Sequence, residues 1–206
     1  VILLHDPNPG FSLAEATTYA TAVSTELRSL LGSTAEEPAL PVDVALRPEG
    51  RNGPIIRSYE SCVEYYSRWI ETWEIQALLR ARPVAGDSEL GERFINFIDP
   101  IRYPQGGISQ AQARDIKRVK ARIEAERLPR SADPNRHVKL GRGGLSDVEW
   151  TAQLLQLQHA WEIPELRTTS TVDALDTAVA HGILAAQDGE HLVTAWHLAS
   201  RIRDAN

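Results

Sequence analysis

Residues 41–54 read PVDVALRPEGRNGP, and this stretch decides how the rest of the chain is interpreted. Apolar side chains alternate with polar or small ones at Val42, Val44 and Leu46. Alternation of this kind is typical of a β-strand. Pro48 has no backbone N–H to donate to a neighbouring strand, so we expect the strand to end there. A turn rich in glycine and proline then follows.

The polar residues of this stretch suggest a site for a polyanion. Asp43 lies inside the predicted strand, and Arg47 and Arg51 follow it closely. A buried acid needs a partner, a proton or a metal ion, and guanidinium groups bind phosphate through two hydrogen bonds. A half-exposed edge strand with a solvated Asp43, or a simple Asp43–Arg47 ion pair, explains the same residues without any ligand.

Composition excludes several classes of protein. A chain of 206 residues with 42% hydrophobic residues is large enough to bury a core. The net charge of −6 argues against a general nucleic-acid binder, and no apolar run is long enough for a membrane span. The single cysteine, Cys62, excludes an internal disulfide and indicates a reducing, cytoplasmic location. Since the sequence contains no methionine, we interpret it as a segment of a longer protein.

Patterning along the chain predicts an α+β fold, with a partial α/β unit followed by an all-helical region. A short strand at 1–4 precedes a helix that begins at Ser12, where Glu15 completes a capping box. After Ser58 the periodicity is helical, and a second capping box pairs Ser109 with Gln112. Helices are predicted over 59–71, 73–80, 89–98, 109–128, 145–160, 170–181 and 190–203. We place the domain boundary between residues 105 and 106.

Several long motifs resemble one protein family. VDVALRPEGRNGP resembles the signature of the glutamine synthetase adenylyltransferases, bifunctional enzymes of bacterial nitrogen control. The same resemblance extends, in order, to WEIQALLRARPVAGD (73–87), IDPIRYP (98–104), KARIEAERLPR (120–130) and KLGRGGLSDVEW (139–150). It covers essentially all 206 residues and implies a nucleotidyltransferase fold. The last three motifs look more like the C-terminal, adenylylating unit of such an enzyme.

The resemblance assigns roles to the residues of the first motif. Asp43 is expected to be a catalytic carboxylate that binds Mg²⁺, and Arg47 and Arg51 to face the phosphates of ATP. The two other carboxylates of such a site belong to a G-S-D-x-D-V motif whose valine aligns with Val1. We therefore expect these two acids to lie upstream of this sequence, and we expect the segment alone to be inactive.

Four further cations are candidates for substrate or phosphate binding. Arg80 and Arg82 lie at a predicted helix end, where a cation also complements the helix dipole. Lys139 and Arg142 flank the glycines of KLGRGG, just before a helix whose first N–H groups could face an anion. A glycine-rich turn capped by Ser146 and Glu149 explains the latter motif equally well.

Residues 108–142 hold ten basic and four acidic residues, a local charge of +6. A basic helix in an acidic chain could lie against ATP or an acidic partner, although a solvated helix gives the same pattern.

The resemblance implies transfer of AMP from ATP to a tyrosine of glutamine synthetase. ATP, glutamine synthetase and a nitrogen-signalling regulatory protein are the expected partners, with neither nucleic acid nor membrane. One alternative is the related uridylyltransferase that modifies the nitrogen-signalling trimer, although RPEGRNGP and KLGRGG fit it less well. Another is a non-catalytic module that docks glutamine synthetase.

Overall fold

A computed structural model of the protein describes residues 1–7, 10–32, 39–129, 133 and 135–205, which are mostly helical. Two strands, β1 (Leu3–His5) and β2 (Ile56–Ser58), form one small sheet. The α-helices of the described part are α1 Leu13–Gly32, α2 Tyr59–Arg68, α3 Thr72–Leu78, α4 Ser88–Arg102, α5 Gln110–Arg127, α6 Leu145–His159, α7 Thr171–Ala180 and α8 Ala186–Asp204. Short 3₁₀ turns occupy Gly50–Asn52 and Pro164–Leu166.

The sheet and α1 form a β–α–β arrangement. Strands β1 and β2 are parallel, with Leu3 opposite Ile56 and His5 opposite Ser58, and α1 contacts both strands. A parallel pair needs a crossover connection of this kind, because a tight hairpin cannot join its ends. The predicted combination of a small α/β part with helices is therefore confirmed, while the nucleotidyltransferase fold stays a prediction.

The strand predicted at 42–46 is wrong. Residues 41–44 lie outside the sheet, and the chain turns from Ala45 onward. The reason lies in local hydrogen bonds: the Asp43 Oδ1 atom accepts from the Ala45 N–H at 2.8 Å, and the Arg47 N–H donates to the Val44 carbonyl at 3.3 Å. Side chains such as that of Asp43 compete with strand pairing in this way.

Most helix predictions are confirmed because their caps are local. Both predicted capping boxes form, the second between Ser109 and Gln112 with bonds of 2.9 and 3.2 Å. The predicted end of α4 before Pro100 is wrong, since the helix continues to Arg102. That last residue is buried, and its guanidinium donates to Asp99 and to the carbonyls of Leu78 and Ala81, which holds the final turn in place.

The described contacts divide the chain into two compact units. The first comprises Val1–Glu74 and Pro83–Phe97, and its core includes Cys62 and Tyr66, with the Tyr66 and Phe94 rings 6.3 Å apart. The second comprises Ile75–Arg82 and Ile98–Asn206. Its core includes a cluster formed by Val148, Ala152, Ala174 and Leu175. The boundary predicted between residues 105 and 106 stays a prediction.

None of the helices in the described ranges combines the length and apolar character of a membrane span.

Candidate functional site

Asp43 is an exposed acid at the start of the turn that follows α1. Its side chain closes a small turn through the 2.8 Å bond between Oδ1 and the Ala45 N–H. The next residue, Val44, is buried and anchors this part of the backbone. The position therefore combines a fixed backbone with a carboxylate that faces solvent. Such an acid is available to a substrate or a metal ion.

Arg47 is buried and has a structural role that the sequence did not predict. Its guanidinium donates to four backbone carbonyls, those of Val44, Arg51, Gly53 and Pro54, at 2.8–3.2 Å. All three side-chain nitrogens take part. The predicted phosphate contact of Arg47 is untested, but its guanidinium is engaged by the turn itself. The Asp43–Arg47 ion pair considered from the sequence does not form among the described residues, and Glu49 pairs with Arg57.

The turn that Arg47 fills presents Arg51 to solvent. Arg51 lies in the 3₁₀ turn Gly50–Asn52, and its side chain has no hydrogen-bond or ion-pair partner among the described residues. Glu49, the residue immediately before this 3₁₀ turn, adopts φ 61°, a left-handed conformation that is costly for a residue other than glycine. Because Arg47 bonds both the Val44 and the Arg51 carbonyls, it ties together the backbone beside Asp43 and the backbone of Arg51.

A second layer of charged side chains supports this turn. Arg57 pairs with the Glu49 carboxylate and donates to Ser61 Oγ at 3.1 Å. Glu74 of α3 is buried, and both of its oxygens accept from the Tyr65 hydroxyl at 3.1 Å. None of these residues was predicted from the sequence to belong to the site. One signal was available for Glu74, because an acid flanked by Trp73 and Ile75 has apolar neighbours on both sides.

In the second unit, the Arg80 side chain forms hydrogen bonds with residues of α6, of α7 and of the segment before α7. It donates to Glu149 at 2.9 Å, to Thr171 Oγ1 at 2.6 Å and to the Thr169 carbonyl. These bonds join the end of α3 to α6 and to the start of α7. The predicted substrate role of Arg80 is untested, and these contacts give it a packing role that does not require a ligand.

The other three predicted cations of this unit point to solvent. Arg82, Lys139 and Arg142 are exposed, and their side chains make no ion pair within the described residues. Lys139 and Arg142 lie three residues apart in one loop, whereas Arg82 follows α3. These residues are available for an anion.

The first two N–H groups of α6, which follow KLGRGG, already have partners in the preceding loop. Leu145 N–H donates to the Val138 carbonyl, and Ser146 N–H donates to the Lys139 carbonyl, at 2.9 and 3.0 Å. The expectation that the first N–H groups of α6 face an anion is therefore wrong for these two groups. The predicted cap by Ser146 is also wrong, because Gly144 is the N-cap and has no side chain to offer.

The Asp147 carboxylate makes two contacts that stabilise this loop. Its Oδ2 atom accepts from the Gly143 N–H at 2.7 Å, and its Oδ1 atom pairs with Lys120 of α5. Lys120 also pairs with Glu124. Burial alone would lower the pKa of Lys120, but the Asp147 and Glu124 carboxylates hold it above its ordinary value of 10.5. Asp147 thus pairs with a lysine of α5 and not with Lys139 or Arg142.

Asp43 is the one residue for which a metal role is predicted. No group of three or more His, Cys, Asp or Glu side chains in the described part of the chain is arranged to hold an ion. Magnesium is commonly bound by one or two carboxylates together with substrate phosphates and water. Asp43 fits one position of such a set.

Comparison with known proteins gives two family matches. Residues 1–97 match the family described as glutamate-ammonia ligase adenylyltransferase, and residues 113–205 match the family described as GlnD PII-uridylyltransferase. Proteins named bifunctional glutamine synthetase adenylyltransferase/adenylyl-removing enzyme are similar over 100% of this chain. They include those of Streptomyces avermitilis (55% identical, 20% of that protein covered), Mycobacterium avium (51%, 20%) and Mycobacterium tuberculosis (52%, 21%).

The chain belongs to the glutamine synthetase adenylyltransferase family. The resemblance read from the sequence motifs is thereby confirmed. This family segment spans about a fifth of the length of the curated relatives that it matches. In that setting, the turn with Asp43 and Arg51 lies in the part matched by the adenylyltransferase family. The loop with Lys139 and Arg142 lies in the part matched by the uridylyltransferase family.

Proposed function

We propose that this chain is part of a nucleotidyltransferase unit that moves AMP from ATP to a tyrosine of glutamine synthetase. The tyrosine oxygen attacks the α-phosphorus of ATP, the bond to pyrophosphate breaks, and the hydroxyl proton is released. The observation that carries this proposal is the similarity, over the whole chain, to proteins named for adenylyl transfer to glutamine synthetase. Of the two activities in that name, we assign the chain to the adenylylating one.

The geometry of the 43–53 turn supports this reading. An exposed carboxylate at Asp43 and an exposed guanidinium at Arg51 belong to one turn whose backbone is fixed by the buried Arg47. Phosphoryl-group transfer depends mainly on positioning and on the stabilisation of charge, and an arginine beside the phosphates supplies both. Arg51 is accordingly the phosphate contact that we propose with most support from the structure.

We assign supporting roles to the remaining residues. Asp43 contributes one ligand to Mg²⁺, with the other ligands supplied by substrate phosphates, water or residues outside this chain. Lys139 and Arg142 approach the anionic substrate as exposed cations, and Arg82 is a further candidate of the same kind. Arg47 and Arg80 act through the backbone and side chains that they hold. Glutamine synthetase is the protein partner, in the cytoplasm, and a nitrogen-signalling protein is the proposed regulator.

A second candidate is uridylyl transfer. It is favoured by one observation, the match of residues 113–205 to the uridylyltransferase family. The two candidates differ in the base of the nucleotide and in the protein that accepts the nucleotidyl group. They are therefore separated by a direct competition between nucleotides.

The test uses the full-length protein that contains this chain. Purified protein is incubated with Mg²⁺, with either glutamine synthetase or the nitrogen-signalling trimer, and with either α-labelled ATP or α-labelled UTP. Label on each acceptor protein is followed. We expect transfer from ATP and not from UTP. Asp43→Asn and Arg51→Ala should each reduce the rate at least tenfold. Glu60→Gln and Arg68→Ala alter an exposed acid and an exposed arginine of the same unit, and they serve as matched controls.

Each outcome decides between the candidates. Labelling of the nitrogen-signalling trimer from UTP would establish the second candidate in place of the first. If Asp43→Asn abolished phosphate-dependent release of AMP from modified synthetase and left forward transfer unchanged, the chain would belong to the adenylyl-removing unit. Full activity of Asp43→Asn would contradict the catalytic role of Asp43. Binding of glutamine synthetase without transfer of either nucleotide would support a docking module.

A further inference from the structure

Glu74 is an acidic residue in an unusual environment. Its exposure is 2%, although it belongs to a class of residue that is almost never buried without a partner. The structure supplies such partners: the Glu71 N–H donates to Oε2 at 2.8 Å, and the Tyr65 hydroxyl lies 3.1 Å from both oxygens. A carboxylate held by this many donors has a fixed position.

The electrostatics of Glu74 connect it to the turn at 47–53. Burial raises the pKa of Glu74, and N–H and O–H donors oppose that rise: the Glu71 N–H, the Tyr65 hydroxyl and the backbone N–H of Glu49. Burial likewise raises the pKa of Tyr65, again opposed by the Glu49 backbone N–H. The backbone of Glu49 thus contributes to the electrostatic environment of the Tyr65–Glu74 pair. Glu49 is also the residue with φ 61° that precedes Arg51 in the turn.

Two further contacts, made by Trp73 and Arg57, stabilise the same turn. The Trp73 ring, adjacent to Glu74 in sequence, lies 3.9 Å from the position that a Cβ would take at Gly50. Arg57 pairs with the Glu49 carboxylate while its guanidinium stands over the Tyr65 ring, 5.3 Å from the ring centre. A left-handed residue persists only where its surroundings hold it, and these contacts provide that constraint.

We propose that Glu74 is a positioning residue for the candidate site. Acting through Tyr65 and the Arg57–Glu49 ion pair, it holds the turn in the conformation that presents Arg51. The consequence for activity rests on the proposed function, but the consequence for the order of the turn does not. Removal of Glu74 leaves the Tyr65 hydroxyl and the Glu71 N–H without their acceptor. The Tyr65 ring, over which the Glu49 partner Arg57 lies, is then no longer held in place, and the left-handed turn loses its support.

Trypsin measures the order of this turn directly, because Arg51–Asn52 is a cleavable bond within it. The full-length protein is digested under native conditions, and the cleaved bonds are identified by mass spectrometry. Cleavage at Arg142–Gly143, in an exposed loop of the second unit, is the internal control. The ratio of the two rates separates local loosening of the turn from general unfolding, which would accelerate both.

We expect Glu74→Ala to raise cleavage at Arg51 about tenfold relative to cleavage at Arg142. Tyr65→Phe is expected to raise it to a smaller degree, because Glu74 then keeps its bond to the Glu71 N–H. Glu74→Gln retains a carbonyl acceptor for Tyr65 and Glu71, and should stay within about twofold of the parent. An unchanged ratio in Glu74→Ala and Tyr65→Phe would overturn the proposal, and so would equal acceleration at both bonds in both variants.

Activity supplies the second measurement. Under the proposed function, Glu74→Ala should raise KM for ATP about as much as Arg51→Ala does, and the double variant should be little worse than either single variant. Fully additive effects would mean that Glu74 does not act through Arg51. If the parent protein transfers no AMP at all, the proposed function fails, whereas the trypsin ratio still decides whether Glu74 orders the turn.

Discussion

Substitution of Arg47 offers the sharpest test of the turn at 43–53, because the structure assigns opposite roles to two arginines that are four residues apart. Arg47 is 8% exposed and donates to four carbonyls, whereas Arg51 is exposed with no side-chain partner in the described residues. Arg47→Ala should therefore destabilise the fold, and Arg51→Ala should weaken phosphate binding without a comparable loss of stability.

The magnitude follows from the hydrogen bonds. Each net intramolecular hydrogen bond contributes about 1 kcal/mol, so four carbonyls without their donor correspond to about 4 kcal/mol. We expect Arg47→Ala to lower the free energy of unfolding by about 3–5 kcal/mol, a large effect for one substitution. Arg47→Lys retains a charge that can reach only one or two of these carbonyls, and should cost about 2 kcal/mol. Arg51→Ala should stay within about 0.5 kcal/mol.

Urea unfolding of the 206-residue chain, followed by tryptophan fluorescence, measures these differences. The matching assay is the KM for ATP of the full-length protein, which Arg51→Ala should raise about tenfold while unfolding stays unchanged. The structural role of Arg47 would be refuted if Arg47→Ala unfolded within about 0.5 kcal/mol of the parent and instead raised the KM for ATP as Arg51→Ala does. Arg47 would then be the phosphate ligand predicted from the sequence.

Three further predictions concern the second unit and the buried acid. Lys139→Glu with Arg142→Glu should raise the KM for the anionic substrate at least tenfold in steady-state assays while the melting temperature changes little, because both side chains are exposed and have no ion-pair partner among the residues that the structure describes. An unchanged KM would mean that this loop does not contact the substrate. Gly144→Ala places a Cβ 2.6 Å from the Val138 carbonyl oxygen, so it should cost about 1–3 kcal/mol in urea unfolding, and a neutral result would contradict the close packing of the loop. Since burial raises the Glu74 pKa above its ordinary value of 4.5, the folded protein binds this proton more tightly than the unfolded chain does. The resulting stabilisation is complete below pH 4.5 and is lost as the pH rises through the folded-state pKa. Glu74→Gln should therefore lose less stability than the parent as the pH rises above 4.5, and identical pH profiles would refute this assignment.

Features that depend on neighbouring residues were predictable from the sequence. The capping boxes at Ser12 and Ser109 formed as expected, because each needs only residues within one helical turn. Helices α2, α6 and α7 lie within one to three residues of their predicted limits for the same reason. The family was also identified correctly, since long motifs in fixed order carry more information than any single pattern.

Features that depend on distant contacts were not predictable. Alternation at 42–46 indicated a strand, but a strand needs a partner, and β1 pairs with 56–58 instead. The apolar positions of α1 form one face, yet Val23, Leu27 and Leu30 are 47%, 41% and 68% exposed, while Ser24 is buried. A pattern of apolar residues shows that a face exists and leaves open what covers it.

The candidate site shows the same limit at the level of single side chains. Sequence chemistry treats Arg47 and Arg51 alike, because both are arginines after a predicted strand. The fold separates them by direction: one guanidinium turns inward and satisfies backbone carbonyls, and the other faces solvent. The loop before α6 repeats this arrangement, with Asp147 bonded inward to Gly143 N–H and Lys120, and with Arg142 facing outward. In each unit, a charged residue within five positions of an exposed arginine holds the backbone of that arginine's loop. An arginine-rich motif therefore predicts anion binding only through those arginines whose side chains face solvent. Which arginines these are is known only from the structure.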